Sequence, residues 1–461
     1  MRTALLLILL IEGFTMAKAR AAEPVFLFEA DPTLLTTTVR IVFTVGTSSD
    51  PKGKGGVANL VSELLMRGTK KRNRSEFQTA LERMGAAFDC SASHDKIIYS
   101  GEVIKENTTE FFKLIHEALT QPAFSKKEFE ALKKETLAEV NHVKNSNGAL
   151  AGLALRRLIF EGTPMEKSGA GTLASIKKTE MKDLLAFYKQ FFSQANLVIG
   201  VSAPLPEAAI KAQLTKLAQA LPVGTQAERS SFDLTLPKQP TLVVVDKGGT
   251  ATGTVFMGQG GITAQDPDRF AMDVGNFSFG GEPLVSRLFR IVRGELGYTY
   301  SVSATYSVLG ALSYQKGVYA IVSTPSLEFT TKTIRKSLEM WDEYMSKGVN
   351  SDELKLAHES VVNSYPFDFE SADKRLSKRL YGHIYGVPVL SPEEFKKTIE
   401  SVSNDRIKKS LAERQTKAGW WITLVADADI IEKQLAAEQK DIPEANRLKI
   451  ARRFTPEELI R

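Results

Sequence analysis

Phe279-Gly280-Gly281-Glu282-Pro283-Leu284-Val285-Ser286-Arg287-Leu288-Phe289-Arg290-Ile291-Val292-Arg293-Gly294-Glu295-Leu296-Gly297-Tyr298-Thr299-Tyr300-Ser301-Val302 reads as a helix, a glycine stop and a strand. Two glycines lead into Pro283, whose fixed φ suits a first helical residue. Leu284, Leu288, Ile291 and Val292 recur at helical spacing and predict a buried stripe. Arg287 and Arg290 point towards another face. Gly297 is placed to end the helix in the left-handed conformation that glycine tolerates. Beyond it, Tyr298, Tyr300, Val302, Ala304 and Tyr306 alternate as a strand does.

Working outward, the chain is written twice. Strand-like alternation opens each half, at Thr37-Val39-Ile41-Phe43 and at Thr254-Phe256-Gly258. An amphipathic helix, further strands and a long charged helix follow, the long helices spanning about 126–144 and 327–346. Each half then has a Leu/Arg-rich helix running into Gly and Pro (155–164 and 377–388), a polar helix (181–191 and 404–412) and a closing apolar strand (196–202 and 420–426). A period this long is a duplicated domain, not a solenoid. Strands and helices without regular alternation indicate α+β architecture. Pro222, Gly224, Pro237 and Pro240 give 221–240 the composition of a linker. The expected domains are 22–230 and 231–440, followed by a charged peripheral tail at 441–461.

The 461 residues, 43% hydrophobic and 25% charged, describe a globular chain. Met1-Arg2, an apolar run from Ala4 to Ile11 and the small residues of Ala19-Arg20-Ala21 predict a signal peptide over 1–21, cleaved after Ala21. An uncleaved anchor is the alternative. No later run reaches the ~18 apolar residues that a membrane helix requires. The expected mature protein is exported, periplasmic in a bacterium, with no membrane anchor. A single cysteine, Cys90, excludes an internal disulfide and any cysteine-cluster metal site. Its alternating surroundings mark it as a strand residue. The net charge of +6 is spread among interleaved acids, with no basic stripe for nucleic acid.

In Gly56-Val57-Ala58-Asn59-Leu60-Val61-Ser62-Glu63-Leu64-Leu65-Met66-Arg67-Gly68-Thr69, the apolar residues form a helical stripe, and Asn59 and Glu63 share another face. This frame resembles the zinc-binding helix of the insulinase, pitrilysin and mitochondrial processing peptidase family. There the segment carries H-x-x-E-H, two His ligands four apart and a Glu that activates the zinc-bound water. Here Asn59 and Glu63 take the ligand positions and Ser62 the general-base position. The family's third ligand corresponds best to Glu139. An amide oxygen is a poor zinc ligand, and Ser62 cannot take a proton from bound water near neutral pH. The histidines contain no pair three to five apart. A weak site from Asn59, Glu63 and Glu139 is the alternative to no metal on this chain.

The stretch beginning at Phe279 resembles the same family's C-terminal substrate-binding motif, in which an Arg and a Tyr seven residues apart face the zinc site. Those positions are Arg293 and Tyr300 here, with Tyr298 as the alternative tyrosine and Gly280-Gly281 as a substrate loop. The resemblance implies two homologous halves, each an antiparallel sheet packed with helices, forming half of a clam-shaped chamber. It also implies a heterodimer. A homologous partner would bring the zinc, and this chain would supply substrate-binding and oxyanion-stabilising groups for peptide hydrolysis, with no activity alone. The alternative function is an inert peptide-binding or scaffold subunit.

Overall fold

The computed structural model describes residues 24–229, 231–444 and 447–461. The expected signal peptide lies outside these residues, as does position 230, where the domain boundary was expected. In the first half, Thr37, Val39, Ile41 and Phe43 bury one face of a strand, as their alternation predicts. The strands are β1 (Val25–Ala30), β2 (Thr36–Phe43), β3 (Ala87–Ala92), β4 (Ile97–Ile104) and β5 (Leu197–Ala203), in the order β1-β5-β2-β4-β3. The second half has β6 (Thr241–Asp246), β7 (Thr254–Gly260), β8 (Thr299–Thr305), β9 (Val318–Pro325), β10 (Trp421–Ala426) and β11 (Ile450–Phe454), in the order β11-β6-β10-β7-β9-β8.

Without β11, the two orders superimpose strand for strand. Even the pairing senses agree: β1 with β5 and β6 with β10 are parallel, and every subsequent pair is antiparallel. Each sheet is thus antiparallel except at one margin. The duplication read from helix and strand order holds at the level of topology.

The two Leu/Arg-rich helices are exchanged between the halves. Helix Asn147–Ile159 of the first half lays Leu150, Ala151, Ala154 and Leu158 against Val243, Val245 and Val425 of the second sheet. Helix Ala372–Tyr385 of the second half lays Leu376, Leu380 and Ile384 against Val42 and Val198 of the first. Glycines make room for both helices. A Cβ on Gly258 would stand 2.7 Å from both methyl carbons of Leu155, and one on Gly200 would stand 2.8 Å from Leu380 Cδ1. Covered on both faces, β5 is buried at every residue, which explains why all of it but Ser202 is apolar or glycine. Arg379 to Glu29, at 2.7 Å, and Arg40 to Asp373, at 3.1 Å, tie the rim of this interlock.

The described part of 221–240 is docked on both halves. The Phe232 amide donates to Gln315 Oε1 at 2.6 Å, and the Thr235 amide donates to the Ile159 carbonyl at 2.9 Å. Residues 441–461 are not a peripheral tail, because they contribute β11 and helix Pro456–Ile460. Charge dominates their composition, but Phe454, Leu459 and Ile460 are buried.

Candidate functional site

Helix Val57–Leu64 begins on a carboxylate. Asp50 accepts from the Gly56 and Ala58 amides, each at 2.7 Å, satisfying donors that a helix start leaves open. Gly56 holds φ +101, and a Cβ there would meet Ile176. The helix then presents Asn59 and Glu63 on one face, and Asn59 Nδ2 donates to Glu63 Oε1 at 2.9 Å. Ser62 is buried and turns back on its own helix, donating to the Asn59 carbonyl at 2.8 Å. Arg67, one turn on, lies 3.9 Å from Glu63 and makes a two-pronged pair with Glu135 at 2.6 and 3.2 Å. Glu139 is exposed on helix Lys126–His142. Burial first, and then the charge of Glu139, push the Glu63 carboxyl above its ordinary range.

These residues do not fit zinc. The amide and carboxylate at the two ligand positions bond each other, and the nearest cation is the Arg67 guanidinium. Among the described residues no group of three His, Cys, Asp or Glu could hold a metal ion. Cys90, on β3 beside this helix, has its thiol pushed up to about 12 by burial and then by the charge of Glu63. That is the state of a structural cysteine, not a nucleophile.

The second segment folds differently from its expected helix. Helix Arg269–Asn276 runs on as a wide π turn, Phe277–Gly281. Pro283 therefore falls in a turn and does not start a helix. Leu284 is 69% exposed at φ +75, not part of a buried stripe. Gly280 explains the overrun. A Cβ there would stand 2.6 Å from Leu288 and 2.7 Å from Ala304, so the glycine lets this turn pack against β8. Gly281 sits equally tightly over Asn276, though it is solvent-exposed. Helical winding resumes near Arg287, which is anchored to Glu353 at 2.7 Å and to the Gly348 carbonyl at 2.9 Å. It continues as a second π turn, Phe289–Glu295, in which Val292 is buried. Gly297 ends it at φ +64, as expected.

Tyr300 owes its orientation to a bulge. Thr299 pairs with Pro325 and Val302 with Ser323, so β8 carries one extra residue there. Thr299, Val302 and Ala304 are buried, while Tyr300 is turned out and 80% exposed. Tyr298 stacks on Phe329 with ring centres 5.0 Å apart, and is packing. The Arg293 guanidinium carbon lies 4.6 Å from the Tyr300 ring centre and 4.5 Å from that of Phe289. Arg293 has no hydrogen bond or ion pair with any described residue, which leaves its N–H donors for something else. The zinc-frame helix packs on β3 and the Arg293 turn on β8, the corresponding edge strands of the two sheets. Arg67 and Phe289 belong to no motif visible in the sequence; their one signal is position, Arg67 lying four residues after Glu63 and Phe289 four before Arg293.

Comparison with known proteins agrees with this architecture. The description "Insulinase (Peptidase family M16)" matches residues 25–173, and "Peptidase M16 inactive domain" matches 179–361. A Helicobacter pylori protein named "Non-peptidase homolog YmxG" is 25% identical over 402 residues, covering 86% of this chain and 91% of its own. An "Uncharacterized zinc protease" of Rickettsia bellii is 21% identical, covering 85% and 92%. The solved M16 inactive domain from Pseudomonas fluorescens shares the fold with a TM-score of 0.78 at 22% identity, covering 88% of this chain and 95% of its own. With the two models of the family matching 25–173 and 179–361 in succession, well over half of the chain, this chain belongs to the insulinase family of peptidases, M16.

Proposed function

We propose that this chain is the non-zinc subunit of an exported two-chain metallopeptidase, bringing substrate contacts to a homologous zinc-bearing partner. One observation carries the reading: exposed Tyr300 stands beside a half-buried Arg293 whose guanidinium has no hydrogen bond or ion pair with any described residue. A structural arginine ordinarily spends its donors on neighbours, as Arg287 does on the same helix. Arg293 can donate paired hydrogen bonds to the carbonyl of an extended peptide. The Tyr300 hydroxyl can donate to the oxyanion that forms when the peptide carbonyl is attacked. Neither role needs a metal on this chain.

The second reading is an inert peptide-binding or scaffold subunit. The name of the Helicobacter pylori relative, a non-peptidase homologue, favours it. Hydrolysis of a quenched fluorescent peptide library by this protein, by a zinc-bearing homologue and by their mixture separates the two. Activity arising mainly in the mixture supports the first reading. Activity of the homologue unchanged by mixing supports the second.

A further inference from the structure

We propose that Phe289 is a positioning residue for Arg293, fixing the guanidinium by its face so that its N–H edge stays open to an in-plane acceptor. Phe289 lies one turn before Arg293, and its ring centre is 4.5 Å from the guanidinium carbon. Arginine is long and has many rotamers, so presenting it to a ligand in one orientation requires an anchor. Proteins usually anchor arginine with a carboxylate, as Glu353 anchors Arg287 here. That anchor consumes the donors a ligand would use. Aromatic faces attract the cation through the ring quadrupole and leave the donors free.

The two rings at Arg293 are unequal. Phe289 is half-buried against the fold, whereas Tyr300 is 80% exposed. Phe289 is therefore the fixed wall. It holds Arg293 in place when Tyr300 turns its hydroxyl towards a bound group. With two ring centres 4.5 and 4.6 Å from its guanidinium carbon, Arg293 is placed to favour acceptors in its own plane, namely peptide carbonyls and carboxylates, over flat ligands that bind by stacking. The use of this arrangement on peptides rests on the function proposed above; the stack itself does not.

The test uses the purified protein with 13C,15N-labelled arginine, the Arg293 signals being assigned through Arg293→Lys. In the wild type the Arg293 side chain should show ring-current shielding and restricted motion. Phe289→Leu should remove most of the shielding and free the side chain. Phe289→Tyr should restore both, and the Arg287 signals should stay put in each variant. In the mixture with a zinc-bearing homologue, Phe289→Leu should raise KM for a quenched peptide about 5-fold, with kcat within about twofold. Arg293 signals that are the same in wild type and Phe289→Leu overturn the positioning role. If they differ while peptide cleavage ignores both Phe289→Leu and Arg293→Ala, the stack stands and the proposed function fails.

Discussion

The side-chain amide of Asn59 donates to the Glu63 carboxylate at 2.9 Å, so the two positions where a zinc helix would carry its ligands are bonded to each other. Zinc binding would have to break that bond, recruit an amide oxygen, and bring a dication towards Arg67, which already sits 3.9 Å from Glu63. Purified protein dialysed against zinc and analysed by elemental mass spectrometry should therefore carry well under one zinc per chain. Stoichiometric zinc lost on Glu63→Ala would show that the pair opens to admit a metal.

The same pair predicts a pH dependence. The Glu63 carboxyl lies above its ordinary value of 4.5, because burial and then Glu139 disfavour its charge more than Arg67 and Asn59 favour it. A folded-state value above the unfolded one means that the folded protein prefers the protonated form. Glu63 therefore supports stability most below pH 4.5, and that support is lost as pH rises through the elevated value. Glu63→Gln keeps an acceptor for Asn59 and removes the charge. It should stabilise the protein at pH 7 by less than about 1 kcal/mol, since the site is partly solvent-screened. The gain should shrink towards pH 4. Urea titrations at both pH values measure it, and a loss of stability at pH 7 would mean that the Arg67 pairing outweighs burial.

Arg293 and Tyr300 should be cheap to remove. Tyr300 is 80% exposed, and Arg293 makes no ion pair with any described residue. Tyr300→Phe and Arg293→Ala should each change the unfolding free energy by no more than about 0.5–1 kcal/mol. In a working pair with a zinc-bearing partner, Tyr300→Phe should lower turnover by ~10²–10³ if it serves an oxyanion. Loss of turnover without loss of stability assigns a functional part. A variant that melts early would instead make the pair structural.

The halves should depend on each other through two glycines. Gly258 underlies Leu155, and Gly200 underlies Leu376 and Leu380, each helix belonging to the opposite half. Gly258→Val and Gly200→Val should each cost about 1–3 kcal/mol by overpacking. Tryptophan fluorescence and circular dichroism should still unfold together, because each sheet is covered by the other half's helix. Two separated transitions in the wild type would contradict the interlock.

What the sequence made legible follows from which forces decide each element. Periodicity set the long helices and the alternating strands, because those elements bury one face each. The Arg293–Tyr300 proximity was legible through the family resemblance. The path into it was not, since Gly280 packs against Leu288 and Ala304, contacts that local pattern cannot see. The outward turn of Tyr300 depends on the β8 bulge, where pairing with β9 overrides simple alternation. The helix exchange was likewise invisible: a buried stripe shows that a face is covered, not which half covers it.

The last 21 residues offer the sharpest contrast between composition and structure. Read as charge they should be dispensable, yet β11 extends the second sheet beside β6, with Phe454 only 1% exposed. The segment also reaches the first half. Arg157 stacks over Phe454 with its guanidinium carbon 5.3 Å from the ring centre, and the Ala174 amide donates to the Arg461 carbonyl at 3.2 Å. Removing 441–461 would uncover the outer edge of β6 and expose an apolar strand whose backbone groups then invite pairing with another chain. Phe454→Ala should cost about 3–5 kcal/mol, and the truncation more, with aggregation on warming. Arg452, whose side chain also lies over Phe454, provides the control: Arg452→Ala removes only this exposed stacking contact and should cost no more than about 1 kcal/mol. Full stability in the truncated protein would restore the reading of this segment as a tail.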